Sequence, residues 1–188
     1  MRYIQIFILS LIFAAQISVS QTKTGKGFIA SFGGGLSFPM NEPNFKDNYD
    51  YGLNICFMGG YKLNNLYLVR GGIHYNRFTY SEIGNGTGSF KAVVMNAEIL
   101  IGAFSTKHKY HPYGIFGTGI YFLSSKLTLN GINYSPTEND IGLSAGGGII
   151  LDLSKNIGVF AEAQYNYMFN DGSVKGFLPF IVGLSFAP

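Results

Sequence analysis

The chain of 188 residues is 47% hydrophobic and only 12% charged, with 26 Gly, no Trp and a net charge of +3. Ordinary soluble domains are about 25% charged, so much of this surface is expected to face something other than water. The charge is too small and dispersed to predict nucleic-acid binding, and the single Cys56 excludes an internal disulfide.

Residues 1–20 have the layout of a secretory signal peptide. Arg2 precedes a short apolar stretch, and small residues follow it. The apolar stretch falls short of the about 20 residues that a membrane-spanning helix needs. The sequence therefore predicts Sec-type export, cleavage after Ser20 and one mature domain of residues 21–188. Cleavage after Ala15 and a buried N-terminal helix are the alternatives.

Alternation of apolar and polar residues runs through nearly all of the mature chain. The pattern predicts eight strands, at residues 28–38, 52–62, 66–79, 90–103, 112–122, 140–152, 157–168 and 177–187. Each has about the 9–11 residues that a tilted strand needs to cross a membrane, or slightly more. No mature segment reaches 18 consecutive apolar residues, which argues against transmembrane helices.

The connections between the predicted strands alternate in length, as an up-and-down meander requires. The shorter ones are 63–65, 104–111 and 153–156, and the longer ones are 39–51, 80–89, 123–139 and 169–176. In outer-membrane barrels, short turns lie in the periplasm and long loops lie outside. We therefore expect residues 123–139 to form the main external recognition loop.

The polar faces of the strands hold mostly Gly, Ser, Asn and Gln, with few charges. A solvated outer face would carry more Lys and Glu. Aromatic residues gather near the strand ends, as in the interfacial girdles of membrane barrels. These features predict an all-β, eight-stranded antiparallel up-and-down transmembrane β-barrel. A soluble ligand-binding barrel is the alternative, because alternation does not by itself identify the inner face.

Three charges lie near the middles of strands: Arg70, Glu98 and Glu162. Parity places all three on the polar face, and the hairpin of strands three and four brings Arg70 almost opposite Glu98. Because an unpaired buried charge is costly, we predict a structural polar network in the lumen. Separate solvation of each charge by lumen water and a gated ion path are the alternatives.

The sequence predicts no catalytic residue, no cofactor and no metal site. Gly33–Gly35 and Gly146–Gly148 resemble phosphate-binding loops superficially, but no helix follows either of them. His108 and His111 are interpreted as part of a solvated basic turn, with a metal site as the alternative. His74 shares the polar face of its strand and is expected to point into the lumen. An eight-stranded barrel is filled by its own side chains or holds one small ligand, so no wide porin is expected.

The chain resembles the small outer-membrane β-barrel family of Bacteroidetes-type bacteria, the OmpA/OmpX-like and PorT-like proteins. The resemblance is carried by the signal peptide ending near Gln21 and by the strands FIASFGGGLSF, HPYGIFGTGIYF at 111–122 and FLPFIVGLSF at 177–186. It implies a place in the outer membrane, contact with outer-membrane lipid and lipopolysaccharide, and insertion by the barrel-assembly machinery. Family members often end on an aromatic residue, whereas two residues follow Phe186 here.

The favoured function is a structural, adhesive or surface-interaction role in the outer membrane, with any surface or periplasmic protein partner unknown. The resemblance also permits a PorT-like component of a secretion or assembly apparatus. A lipid A-modifying enzyme and a soluble periplasmic ligand-binding barrel also stay open at this point.

Overall fold

The computed structural model describes residues 27–40, 43–80, 86–105, 108–129, 132–170 and 173–187. The predicted signal peptide lies outside these residues. The elements in chain order are β1 (Gly27–Met40), α1 (Pro43–Asn48), β2 (Gly52–Lys62), β3 (Tyr67–Thr79), β4 (Gly86–Gly102), β5 (Tyr110–Leu129), β6 (Ile132–Tyr134), β7 (Thr137–Asp152), β8 (Ile157–Asn170) and β9 (Ser173–Phe186). Across the described ranges, no helix is long and apolar enough to cross a membrane.

The eight long strands form one closed antiparallel barrel. They are hydrogen-bonded in the order β4-β3-β2-β1-β9-β8-β7-β5, and pairing of β4 with β5 closes the circle. Strands that follow one another in the chain are therefore neighbours in the barrel. The first and last strands, β1 and β9, also pair with each other. The short β6 pairs with the end of β5 and lies outside the circle of eight. The predicted eight-stranded up-and-down barrel is confirmed.

One end of the barrel departs from the predicted strand bounds. The expected loop 123–139 is wrong for most of its length, because β5 continues to Leu129 and pairs with β6 and with the start of β7. The connection 169–176 is likewise mostly strand, since β8 and β9 pair as far as Asn170 and Ser173. Polar residues take a strand conformation here because a neighbouring strand satisfies their backbone groups, and strand propensity depends strongly on that context.

Tight turns close the opposite end, and two of them share one design. Asn64 Oδ1 accepts hydrogen bonds from the backbone N–H groups of Leu66 and Tyr67, at 2.8 Å each. Ser154 Oγ accepts from the N–H of Asn156 at 3.4 Å and of Ile157 at 3.2 Å. Short polar side chains that bond to nearby backbone are typical turn formers. Both chain termini of the barrel lie at this end.

The outer surface of the barrel is apolar and the inner face is buried. On β2, Leu53, Ile55 and Phe57 are 65%, 55% and 62% exposed, whereas Asn54 and Cys56 between them are 2% and 1% exposed. Monomeric soluble proteins rarely expose an apolar surface of this extent. The face assignment made from parity is confirmed, since Glu98 and Glu162 are buried and Ile99 and Ala161 are exposed.

Glycine lets two strands and one ring meet inside the barrel. Gly33 and Gly183 are partners in the register of β1 and β9. A Cβ atom on Gly33 would lie 2.8 Å from Phe160 Cζ, and one on Gly183 would lie 2.6 Å from Phe160 Cε1. The Phe160 ring therefore packs directly on the backbone of these two glycines. A larger residue at either position would have to displace the ring.

A substitution at Ala161, an exposed residue of β8, tests which side of the barrel wall faces lipid. Arg at a mid-bilayer position on the lipid side costs about 2–4 kcal/mol. We therefore expect Ala161→Arg to lower the free energy of unfolding in lipid vesicles by that amount, and to weaken heat-modifiable migration on gels. Ala161→Leu is the matched control and should be tolerated. A harmless Ala161→Arg would contradict the assignment of the lipid face.

Candidate functional site

Arg70 on β3 joins opposite walls of the barrel. Arg70 and Glu98 are register partners on β3 and β4, and Arg70 Nε donates to Glu98 Oε2 at 2.6 Å. Glu162 lies on β8, four strands from β3 in the barrel order. Arg70 Nη1 and Nη2 donate to its two carboxylate oxygens at 2.6 and 2.8 Å. The guanidinium therefore spans the lumen, and its contact with Glu162 has the two-pronged geometry of the stronger Arg–carboxylate pairs.

Neutral side chains complete the hydrogen bonding of both carboxylates. Glu98 Oε1 accepts from Asn96 Nδ2 at 2.6 Å and from Gln164 Nε2. Glu162 Oε1 accepts from the Tyr113 hydroxyl at 2.5 Å. These donors disperse the charge of two carboxylates that share one guanidinium, which is what a buried charged group requires.

His74 lies beside this cluster, on the lumen face of β3 that its parity predicts. Its Nε2 is 3.3 Å from Asn96 Nδ2, and its side chain is buried. The structure thus places His74 inside the lumen, beside the cluster of Arg70, Glu98 and Glu162.

The three predicted charges Arg70, Glu98 and Glu162 lie together in the lumen, with side-chain exposures of 7%, 1% and 1%. That they stabilise the barrel remains a prediction. Tyr113, Gln164 and Asn96 were not predicted as their partners. All three have lumen-facing parity, and Asn96 lies two residues before Glu98 on the same face of β4. Parity does not identify what Tyr113 and Gln164 face, because it does not identify which strands face each other across the barrel.

Apolar layers lie on both sides of this polar layer. Toward the hairpin end, the buried cluster consists of Phe45, Phe78, Phe90, Ala92, Val94, Tyr121, Leu123, Met168 and Phe177. Toward the turn end, it consists of Leu68, Leu100, Phe104, Tyr113 and Ile115. Next to the turn-end cluster, a cavity of about 20 Å³ touches Arg70, Tyr113 and Glu162, enough for a single water molecule. The described side chains therefore fill the lumen.

The interpretation of His111 as part of a solvated basic turn is wrong. His111 lies in β5 and is buried, at 5% exposure. Its Nδ1 is 2.8 Å from the carbonyl oxygen of Ala103, and its Nε2 is 2.8 Å from Asp152 Oδ2. The ring thus ties the β4–β5 connection to the end of β7. His108 is exposed, and within the described residues no group of three metal-ligating side chains exists.

No protein-family model matches the chain, and no curated protein matches it either. Solved structures do match. Neisserial surface protein A is similar over 88% of this chain and 99% of its own, at 17% identity and a TM-score of 0.58. Ail, the attachment invasion locus protein of Yersinia pestis, is similar over 88% of this chain and 100% of its own, at 20% identity and a TM-score of 0.58.

A major outer membrane protein from Thermus thermophilus is similar over 86% of this chain and 99% of its own, at 14% identity and a TM-score of 0.58. At such identities the likeness concerns the fold. The chain has the fold of the small eight-stranded outer-membrane barrels, as the sequence resemblance implied. The Bacteroidetes-type and PorT-like parts of that resemblance stay predictions.

The Arg70 cluster can be tested by a double-mutant cycle in urea unfolding. Arg70→Ala leaves two carboxylates in the lumen without their cation, and breaking a buried pair in this way costs about 3–5 kcal/mol. Adding Glu98→Gln should recover part of the loss, because one stranded charge is then removed. Strictly additive effects would contradict direct coupling.

The control for this cycle is an exposed ion pair of the same protein. Lys175 Nζ lies 3.0 Å from Glu138 Oε2, and the Glu138 side chain is 47% exposed. Because exposed pairs contribute about 0–1 kcal/mol, Lys175→Ala should have a far smaller effect than Arg70→Ala.

Proposed function

We propose that this protein is an integral outer-membrane barrel with a structural, adhesive or surface-interaction role, exported with loss of residues 1–20. The observation that supports this most directly is the combination of an exposed apolar exterior with a filled lumen. A soluble ligand-binding barrel would need a hydrated exterior and an interior cavity. In this role the protein has no catalytic activity and no wide pore.

The partners of the barrel wall follow from its surface. Its exterior would contact outer-membrane lipid and lipopolysaccharide, and insertion would need the barrel-assembly machinery. Closed barrels suit this environment, because every strand satisfies its backbone hydrogen bonds against a neighbour and no sheet edge faces lipid.

The two ends of the barrel support one orientation. At one end lie α1 and the β5–β6–β7 hairpin, and at the other lie the tight turns near Asn64 and Ser154. Outer-membrane barrels keep their short turns in the periplasm. We place the hairpin end outside the cell on this basis.

The surface role is supported by what the similar structures are. The name of Ail refers to attachment and invasion, and it has been solved in complex with the heparin analogue sucrose octasulfate. In this chain the corresponding display surface is the external end of the strands, above all the hairpin of β5 and β6. A PorT-like component would instead require a stable partner complex, and a lipid A-modifying enzyme would alter lipid A.

Orientation can be tested with single cysteines. In a Cys56→Ala background, Ser135→Cys should react with a membrane-impermeant maleimide on intact cells, because Ser135 is exposed at the hairpin end. Asn65→Cys, exposed in the opposite turn, should react after the outer membrane is permeabilised. Labelling of Asn65→Cys alone on intact cells would reverse the proposed orientation.

The surface role can be tested by shortening the hairpin. Replacing residues 127–134 with Asn-Gly should leave the barrel wall intact, since β5 and β7 remain paired from Ser124↔Thr137 onward. We expect cells that display the shortened protein to lose at least half of the attachment to matrix-coated surfaces conferred by the full chain. Unchanged attachment with normal heat-modifiable migration would contradict a role for the hairpin. Mass spectrometry of lipid A from the same cells tests for an enzymatic role.

A further inference from the structure

Charges are sorted between the two faces of the barrel wall. In the described strands, every carboxylate lies on the lumen side of the alternation: Glu98, Glu138, Asp140, Asp152 and Glu162. The charges on the outward side of those strands are all cations, namely Arg77, Lys91 and Lys126. Every charged residue on the outward face of the described strands is thus a cation.

These three cations form one patch on adjacent strands. Arg77 on β3 is the register partner of Lys91 on β4. Lys91 in turn pairs with Ser124 on β5, two residues before Lys126. Because directly opposed residues have Cβ atoms about 4.5–5.5 Å apart, one small anion could contact side chains from two strands at once.

Like charges directly opposite each other destabilise a sheet, so the Arg77–Lys91 pair calls for a counter-charge. The structure gives none of the three cations an ion pair with a described residue. Arg77 and Lys126 are exposed and Lys91 is half-buried. Their counter-charge therefore does not come from a described residue.

The surroundings of the patch place it at the boundary of the apolar belt. On the side of the turns, the same strands expose Tyr75 and Phe122, and Leu53 is the register partner of Arg77 on β2. On the side of the hairpins, the next outward residues are Thr79 and Ser89. This order of apolar, basic and hydroxyl rows matches the order of acyl chains, phosphates and sugars in a glycolipid leaflet.

The patch occupies one side of the barrel. At the hairpin ends of other strands, the exposed outward residues include aromatic side chains: Phe38, Tyr51 and Phe169. Aromatic rings suit the headgroup region generally and carry no preference for a phosphate. The location on β3, β4 and β5 points to a discrete site and argues against a uniform basic ring.

We propose that Arg77, Lys91 and Lys126 bind the phosphate groups of a phosphorylated glycolipid in the leaflet at the hairpin end. The guanidinium of Arg77 can donate two hydrogen bonds to one phosphate, and each lysine supplies a mobile positive charge. Ser124, which is opposite Lys91 and two residues before Lys126, can donate a hydroxyl hydrogen bond to the same phosphate. Assignment to the outer leaflet depends on the proposed function, whereas phosphate recognition by the patch does not.

The test measures lipid binding to the full mature barrel by native mass spectrometry, with bisphosphorylated lipid A and its dephosphorylated form as probes. The patch variant is Arg77→Gln/Lys91→Gln/Lys126→Gln. The control variant is Lys46→Gln/Lys109→Gln/Lys155→Gln, which removes three exposed charges elsewhere. Heat-modifiable migration establishes that each variant is folded.

We expect wild type and control to bind the bisphosphorylated lipid at least tenfold more tightly than the dephosphorylated lipid. The patch variant should bind both lipids alike. Equal losses in patch and control variants would reduce the effect to net charge and overturn the proposal, as would an unchanged patch variant. If the patch variant fails to fold, the lipid selectivity of Lys91→Gln is compared with that of Lys109→Gln. The single patch substitution should reduce the selectivity, and the single control substitution should not.

Two further arms distinguish the glycolipid from a free anion and from a sulfated polysaccharide. Inorganic phosphate at millimolar concentration should not displace the lipid, and displacement would assign the site to a free anion. Binding of fluorescent heparin that depends on the patch, with lipid selectivity unaffected, would assign it to a sulfated polysaccharide. The Ser135→Cys labelling is independent of these results, so a reversed orientation would overturn the choice of leaflet while leaving phosphate recognition in place.

Discussion

Closure of eight strands is the constraint on which the other features of this structure depend. A barrel of this size has an interior just wide enough for side chains. At that width, Arg70 on β3 reaches Glu98 on its neighbour and Glu162 on the opposite wall. A wider barrel would leave Arg70 and Glu162 too far apart to pair, and water would have to solvate Glu162.

The narrow lumen also explains how its contents are arranged. Arg70, Glu98, Glu162 and their neutral partners form one polar cluster, and Ser37, Asn54 and Asn76 form a second one nearer the hairpin end. Buried apolar clusters lie toward both ends of the barrel. In the first polar cluster the guanidinium and both carboxylates are hydrogen-bonded by fixed side chains. Phe160 fits because Gly33 and Gly183 leave no side chain beneath its ring. The pairing of charged side chains and the glycines beneath Phe160 both follow from the narrow width of the lumen.

The exterior follows a different rule, because its solvent is lipid. Apolar residues cover the belt, and charge returns where the belt ends, at Arg77, Lys91 and Lys126. The fold likeness to Neisserial surface protein A and Ail is compatible with many activities, since function on a shared fold depends on particular sites. In this chain the proposed sites are the hairpins at one end of the barrel and the basic patch.

The sequence by itself determined the strand count and the meander, because both depend on local alternation and on connections between consecutive strands. The inner face was indicated by composition, since the polar faces hold mostly Gly, Ser, Asn and Gln. The meeting of Arg70 with Glu98 also follows from one hairpin. Tertiary structure decided the contact of Arg70 with Glu162, the burial of His111 against Asp152 and the extension of β5 to Leu129. The Arg70–Glu162 contact depends on which strands face each other across the closed barrel, and local alternation carries no information about that. The other two depend on how far consecutive strands stay paired at their ends, where polar residues conceal the strand pattern.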